Sequence, residues 1–93
     1  MKSVEAWKRE KLRDPAFKKE YDALEEEFAL ASELISARAK ANLTQGQVAR
    51  RMGTSQSAVA RMESGNGLPS TTSLVKYARA VGRRIEIKLK KPA

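Results

Sequence analysis

The segment from Leu43 to Ser70, LTQGQVARRMGTSQSAVARMESGNGLPS, is rich in uncharged polar side chains where a solvated helix would favour lysine and glutamate. Beyond Gly53, four residues would share the outer face of a helix: Gln56, Ser57, Ala60 and Arg61. Glutamine pairs with adenine and arginine forks onto guanine, whereas serine and alanine fit beside either base or a thymine methyl group. These residue types predict a surface that reads base edges.

Two short helices are expected to carry this surface. Thr44 and Gln47 form a capping box at the start of a new helix, in which the side chain of each residue accepts a hydrogen bond from the backbone N–H of the other. Gly53 suits the left-handed residue that closes this helix, and Ser55 can cap the next one. Two short helices joined by a glycine turn describe a helix-turn-helix, whose second helix enters the DNA major groove.

Two further helices are predicted before this motif. Asp14 ahead of Pro15 is a helix-start signal, and apolar residues then recur at helical spacing as far as Ile35. This pattern predicts one long helix, or two nearly collinear ones broken near Glu25 to Glu27, ending by Asn42. A shorter helix is expected from Ser3 to Leu12.

The chain after the motif should contain one more helix and a strand. Ser70 can cap a helix that Gly82 stops. Ile85, Ile87 and Leu89 then alternate with charged residues, which predicts a half-buried β-strand. Because a strand needs a ladder partner, we expect it to pair with a second copy and make the protein a homodimer.

Charge and composition restrict the function. Residues 1–36 contain seven Lys/Arg and nine Asp/Glu, whereas residues 37–93 contain twelve and two, so that the net charges are −2 and +10. The second part should therefore attract a polyanion. The chain has no cysteine or histidine, and we expect no enzyme activity, catalytic residue, cofactor or metal site. It has no apolar run typical of a signal peptide or membrane span, so we expect a cytoplasmic protein without membrane contact.

The helix-turn-helix motif and the segment before it resemble known families. The residues LTQGQVARRMGTSQSAVARMESG resemble the XRE (Cro/cI-like) helix-turn-helix family of phage and bacterial repressors. With the preceding DPAFKKEYDALEEEFALASELISARAKAN, the chain resembles HigA-type antitoxins. The resemblance implies a mainly α, lambda-repressor-like bundle of about five helices, extended here by an N-terminal helical segment and the C-terminal strand. It also implies a dimer that represses its own operon at a double-stranded DNA operator and neutralises a RelE/HigB-like ribonuclease toxin. A stand-alone XRE-type repressor without a toxin, or a non-specific nucleic-acid-binding protein, is the alternative.

The resemblance also assigns residues. The family's DNA-binding positions fall on Gln45, Ser55, Gln56, Ser57, Arg61 and Asn66, and we expect Thr44 beside them to bind DNA as well. Gln45 is expected to hold the phosphate backbone, while capping alone is the alternative role for Gln45 and Ser55. The family pairs an arginine with a glutamate, here Arg38 and Glu63, which we expect to form a largely buried ion pair. Gly46 departs from the family, which usually has a helix-favouring residue there.

The N-terminal part is a candidate protein-binding surface. We divide the chain into a helical extension (residues 1–25), a helix-turn-helix domain (26–83) and a dimerisation segment (84–93). Four of the five aromatic residues lie in the N-terminal part, and large apolar side chains of this kind are typical interface anchors. The predicted partner-binding residues are Trp7, Phe17, Tyr21, Leu24 and Phe28. Packing onto the domain is the alternative, especially for Phe28. Acids from Glu20 to Glu27 would favour a basic ribonuclease.

Overall fold

The computed structural model describes residues 3–92. Within that range the chain forms five helices and is mainly α, as predicted. The helices are α1 (Val4–Lys11), α2 (Pro15–Lys40), α3 (Gln45–Met52), α4 (Gln56–Met62) and α5 (Thr71–Ala80). The second helix is continuous through Glu25 to Glu27, so the single long helix is confirmed over the broken one.

The helix starts follow the local sequence signals. A side-chain oxygen just before each helix accepts a hydrogen bond from a backbone N–H of the first turn; the capping residues are Ser3, Asp14, Thr44, Ser55 and Ser70. The capping box between Thr44 and Gln47 is present with both of its hydrogen bonds. After α2, Asn42 takes a left-handed conformation with φ of 57° and redirects the chain into α3.

The core joins the C-terminal half of α2 to α3, α4 and α5. Its buried members are Leu34, Val48, Ala49, Val59, Tyr77, Ala80 and Val81, with Leu30, Leu43 and Leu74 among the residues packed around them. By contrast, α1 contains no buried residue, and the buried residues of α2 are Ala31 and Leu34. The first half of α2 therefore projects beyond the core and carries α1 with it.

The predicted C-terminal strand is wrong. Residues 83–92 adopt no regular secondary structure, and the described chain contains no strand. A strand forms only when another strand completes its hydrogen-bonding ladder, and residues 3–92 offer none. Ile85 is half-buried beside a groove of about 410 Å³ between α2 and α5. Ile87 and Leu89 instead remain 68% and 98% exposed.

Within residues 3–92, no helix is both long and apolar enough to cross a membrane.

Gly46 should be replaceable with a gain in stability. It lies in the first turn of α3, and an added Cβ would meet the Gln56 Oε1 atom at 3.7 Å, an ordinary contact. Gly46→Ala should raise the free energy of unfolding by about 0.4 to 1 kcal/mol, because alanine loses less backbone entropy on folding. Urea denaturation followed by circular dichroism measures the change.

Gly53→Ala is the matched control. Gly53 also has open space around it, but its φ is 73°, which an alanine adopts only with strain. This variant should lose about 1 kcal/mol, since the left-handed conformation crowds a Cβ. Equal changes in the free energy of unfolding for the two variants would contradict the prediction that Gly46 accepts a side chain and Gly53 does not.

Candidate nucleic-acid interface

The turn between α3 and α4 sets the direction of α4. Gly53 takes the left-handed conformation predicted for it, and its backbone N–H bonds to the last turn of α3. The next N–H, from Thr54, donates to the Ala49 carbonyl at 2.9 Å. Ser55 then caps α4 by accepting from the Ala58 N–H at 3.1 Å. Three residues therefore separate the end of the first helix of the motif from the start of the second.

The polar residues singled out in the sequence lie on the outer side of α4. Gln56, Ser57 and Arg61 are exposed, whereas Val59 on the opposite side is fully buried. Ala60 is half-buried at the edge of the exposed face. A glutamine, a serine and an arginine thus share one surface beside the turn, with the donors and acceptors that direct base readout uses.

The residues at the start of α3 make contacts inside the domain. The Thr44 N–H donates to Gln47 Oε1 at 2.8 Å, and the Gln47 N–H donates to Thr44 Oγ1 at 3.1 Å. The Gln45 amide donates through Nε2 to Glu63 Oε1 at 3.1 Å. With Thr44 as its cap, the N-terminal end of α3 can still approach a phosphate. The contacts inside the domain are therefore compatible with a DNA contact.

The structure places Arg38 and Glu63 in direct contact. The guanidinium is bidentate: Nε lies 2.9 Å from Glu63 Oε2, and Nη2 lies 2.8 Å from Oε1. Only 3% of the Glu63 side chain is exposed, against 20% for Arg38. The third nitrogen, Nη1, donates to the Leu43 carbonyl at 3.1 Å and ties the same group to the α2–α3 connection. A planar guanidinium suits this arrangement because its donors match a carboxylate in pairs.

Tyr77 completes the cluster and was missed by the sequence analysis. Its hydroxyl lies 2.7 Å from Glu63 Oε2 and 2.8 Å from the Leu34 carbonyl oxygen, and its side chain is fully buried. The signal available in the sequence was its position on the apolar face of α5, beside Leu74 and Ala78, as the lone aromatic residue of the basic part. Burying a hydroxyl there requires a partner, which Glu63 provides.

The ionisation of the cluster follows from these contacts. Burial would raise the pKa of Glu63, but hydrogen bonds from Arg38, Tyr77 and Gln45 outweigh burial and lower it below its ordinary value. The hydrogen bond to Glu63 raises the pKa of Arg38. Burial, reinforced by the neighbouring carboxylate, raises the pKa of Tyr77 well above its usual range. At neutral pH the carboxylate and guanidinium are therefore charged, and the tyrosine keeps its proton.

Two basic residues that were not predicted as site residues, Lys76 and Arg51, have defined positions in the structure. Lys76 from α5, Thr54 from the turn and Arg61 line one groove of about 280 Å³ beside α4. Lys76 thus adds a positive charge next to the polar face. Arg51 has a different role, because its Nη1 donates to the Ala80 carbonyl at 2.9 Å and caps the C-terminal end of α5.

Asn66 lies in the loop after α4. It is exposed, and its backbone N–H donates to Ser64 Oγ at 3.2 Å. The Ser64 hydroxyl in turn donates to the Arg61 carbonyl at 2.7 Å. One serine therefore links the last turn of α4 to Asn66.

The N-terminal aromatic residues form a cluster of their own. Trp7 meets Phe17 edge-on with 5.9 Å between ring centroids, and Phe17 stacks with Tyr21 at 6.3 Å. The Lys8 ammonium lies 4.8 Å from the centroid of the Tyr21 ring. These contacts fold α1 back onto α2 while leaving Trp7 49% exposed. Two other predicted residues lie further along α2: Leu24 and Phe28, which are 47% and 53% exposed.

Comparison with known proteins agrees with this geometry. A family model described as helix-turn-helix matches residues 34–87, more than half of the chain. The chain belongs to the helix-turn-helix family. This member is also similar to two curated proteins named Antitoxin HigA1, from Mycobacterium tuberculosis strains CDC 1551 / Oshkosh and H37Rv. Each is 37% identical over 79 residues, which is 85% of this chain and 53% of the relative. This helix-turn-helix chain thus spans about half the length of the curated relatives it matches. No solved structure matches it.

Breaking the Arg38–Glu63 pair should be costly. Glu63→Gln should lower the free energy of unfolding by about 3 to 5 kcal/mol at pH 7, because it leaves a partly buried guanidinium without its counter-charge. Since folding lowers the pKa of Glu63, its contribution is complete above the unfolded value of about 4.3 and is lost as pH falls through the folded value. The gap between wild type and variant should therefore be constant from pH 7 to pH 5 and shrink below that.

Urea unfolding at several pH values measures this gap. The control is Glu86→Gln, which removes the exposed pair with Lys88, whose Oε1–Nζ distance is 3.4 Å; it should change stability little. A gap that stays constant down to pH 2 would show that Glu63 is not the titrating group.

Proposed function

We propose that the protein is an antitoxin that represses its own operon by sequence-specific DNA binding and neutralises a RelE/HigB-like ribonuclease toxin in the cytoplasm. The observation that carries the proposal is the extent of similarity to the antitoxins named above. The helix-turn-helix match begins at residue 34, whereas the likeness to those antitoxins covers 85% of the chain and so reaches into the N-terminal segment. A stand-alone XRE-type repressor would need only the first of these two parts.

DNA binding is assigned to α4 and the ends of its neighbours. Gln56, Ser57 and Arg61 face the major groove and choose the bases, because they are the exposed polar residues of α4. A second group holds the phosphate backbone: Thr44, Gln45, Ser55 and Asn66. We add Lys76 to this group, since it flanks Arg61 across a shared groove. The concentration of positive charge after residue 37 supports the same assignment.

Arg61→Ala tests the base-reading role. The change should cost about 1 to 3 kcal/mol of binding free energy on the preferred duplex and relax selection at one base position. Binding is measured against a panel of single-base variants of a duplex that wild type enriches from a randomised pool. Lys76→Ala is the control, because a phosphate contact should weaken binding equally on all sequences and reduce its salt dependence. An Arg61→Ala effect that is uniform across the panel would make Arg61 a backbone contact.

Toxin binding is assigned to α1 and the first half of α2. This segment contributes nothing to the core before Leu30, yet it displays the aromatic cluster of Trp7, Phe17 and Tyr21, followed by Leu24 and Phe28. Its net charge is opposite in sign to that of the DNA-binding part. Acidic side chains around an apolar centre suit a basic partner, because opposite charges speed association. The aromatic rings would then supply the buried contacts that hold the partner.

Substitution within the aromatic cluster separates the two activities. The double variant Trp7→Ala/Tyr21→Ala should weaken binding of a purified RelE/HigB-like toxin by about 30-fold or more, as loss of interface anchors does. Operator binding should stay within about twofold, because α4 is untouched. Ile35→Ala, a 40% exposed apolar residue of α2 outside both proposed surfaces, is the control and should change neither. Unchanged toxin binding by the double variant would place the toxin elsewhere, with the DNA-binding domain the next surface to test.

We also propose that the protein works as a homodimer through its C-terminal segment. Ile87 and Leu89 are large apolar residues with little cover in the single chain, which favours association. A two-fold axis would set two copies of α4 about 34 Å apart, one turn of DNA. A chain ending after Gly82 should sediment as a monomer; if it sediments as the same dimer as wild type, Ile85, Ile87 and Leu89 are not the dimerisation residues.

A further inference from the structure

The loop between α4 and α5 contains two glycines with the same backbone conformation but different surroundings. Gly65 has φ of 76° and Gly67 has φ of 85°. An added Cβ on Gly67 would meet nothing within 4 Å, whereas one on Gly65 would lie 2.5 Å from Cδ1 and 2.7 Å from Cε1 of Phe28. Gly65 is buried although both residues beside it are exposed. The Phe28 ring of α2 thus lies directly against the backbone of this loop.

The segment that Phe28 covers connects two residues assigned to DNA. Gly65 lies between Ser64, whose hydroxyl donates to the Arg61 carbonyl, and Asn66, whose N–H donates to that same hydroxyl. These are short-range bonds within the loop. Among the contacts described for Gly65, the Phe28 ring is the one that comes from a distant helix. It therefore fixes the loop relative to the body of the domain.

We propose that Phe28 is a positioning residue for DNA binding: by packing on Gly65, it holds Asn66 at a fixed place relative to Arg61. This rests on the proposed DNA-binding role of α4 and the loop, and gives Phe28 a role beyond the partner surface that its sequence position suggested. The Phe28 side chain remains 53% exposed although its ring lies against Gly65. Loss of the ring should cost operator affinity even though Phe28 does not touch DNA.

The first experiment measures binding to the duplex that wild type enriches from a randomised pool. Phe28→Ala should weaken binding about three- to tenfold, the size expected when contacting groups lose their coupling. Phe28→Tyr keeps the ring and should restore affinity. Leu24→Ala is the matched control, because it removes a similarly exposed apolar side chain one turn earlier on α2, and it should bind as wild type. Thermal unfolding ensures that each variant is folded at the temperature of the assay.

The second experiment uses the two glycines. Gly65→Ala and Gly67→Ala impose the same left-handed strain, but only the first collides with the Phe28 ring. Gly65→Ala should therefore lose more affinity than Gly67→Ala in wild type, and the excess should vanish in the Phe28→Ala background. In nuclear magnetic resonance spectra, the Gly65 α-protons should show a ring-current shift that Phe28→Ala abolishes and Phe28→Tyr retains.

Three results would overturn the proposal. Phe28→Ala could bind as tightly as Leu24→Ala, or Phe28→Tyr could fail to restore affinity while restoring the ring-current shift. The excess effect at Gly65 could also persist without the ring. If wild type enriches no duplex at all, the proposed DNA-binding function fails, and with it this inference. Enrichment by wild type combined with any of the three results refutes the role of Phe28 alone.

Discussion

The buried carboxylate of Glu63 is the group on which the packing of the helix-turn-helix domain depends. It lies at the C-terminal end of α4, and each of the other three domain helices supplies it with a donor: Arg38 from α2, Gln45 from α3 and Tyr77 from α5. No buried side-chain nitrogen or oxygen in residues 3–92 lacks a hydrogen-bond partner. Because a satisfied buried network allows few alternative geometries, Glu63 fixes how α4 is presented to solvent.

The two halves of α2 have different structural roles. Its C-terminal half contributes Leu34 and Arg38 to the core and the Glu63 cluster. Its N-terminal half has no core to pack on, so its helical state depends on the Asp14 cap and on the ring contacts with α1. At 26 residues the helix is about 39 Å long. The proposed toxin surface therefore lies at one end of α2, and the other end packs into the domain that carries the proposed DNA surface.

The sequence could predict what local chemistry decides. Helix starts at Asp14, Thr44 and Ser55 follow from caps within a few residues of each other, and the polar outer face of α4 follows from helical periodicity. Contacts between distant segments were not readable in this way, and the Arg38–Glu63 pair was predicted only through the family resemblance. Tyr77 meets Glu63 across 14 residues, and Phe28 meets Gly65 only because α2 runs past the loop. The strand failed for the same reason, since its ladder partner is not encoded in residues 84–90.

The position of Trp7 has a practical consequence for spectroscopy. It is the single tryptophan of the chain and lies half-exposed against Phe17, outside the core of the helix-turn-helix domain. Tryptophan emission therefore reports on the docking of α1 rather than on the state of the bundle. Far-ultraviolet circular dichroism, by contrast, is dominated by α2 to α5. Unfolding curves recorded by these two probes will coincide only if α1 detaches in the same cooperative step that melts the domain.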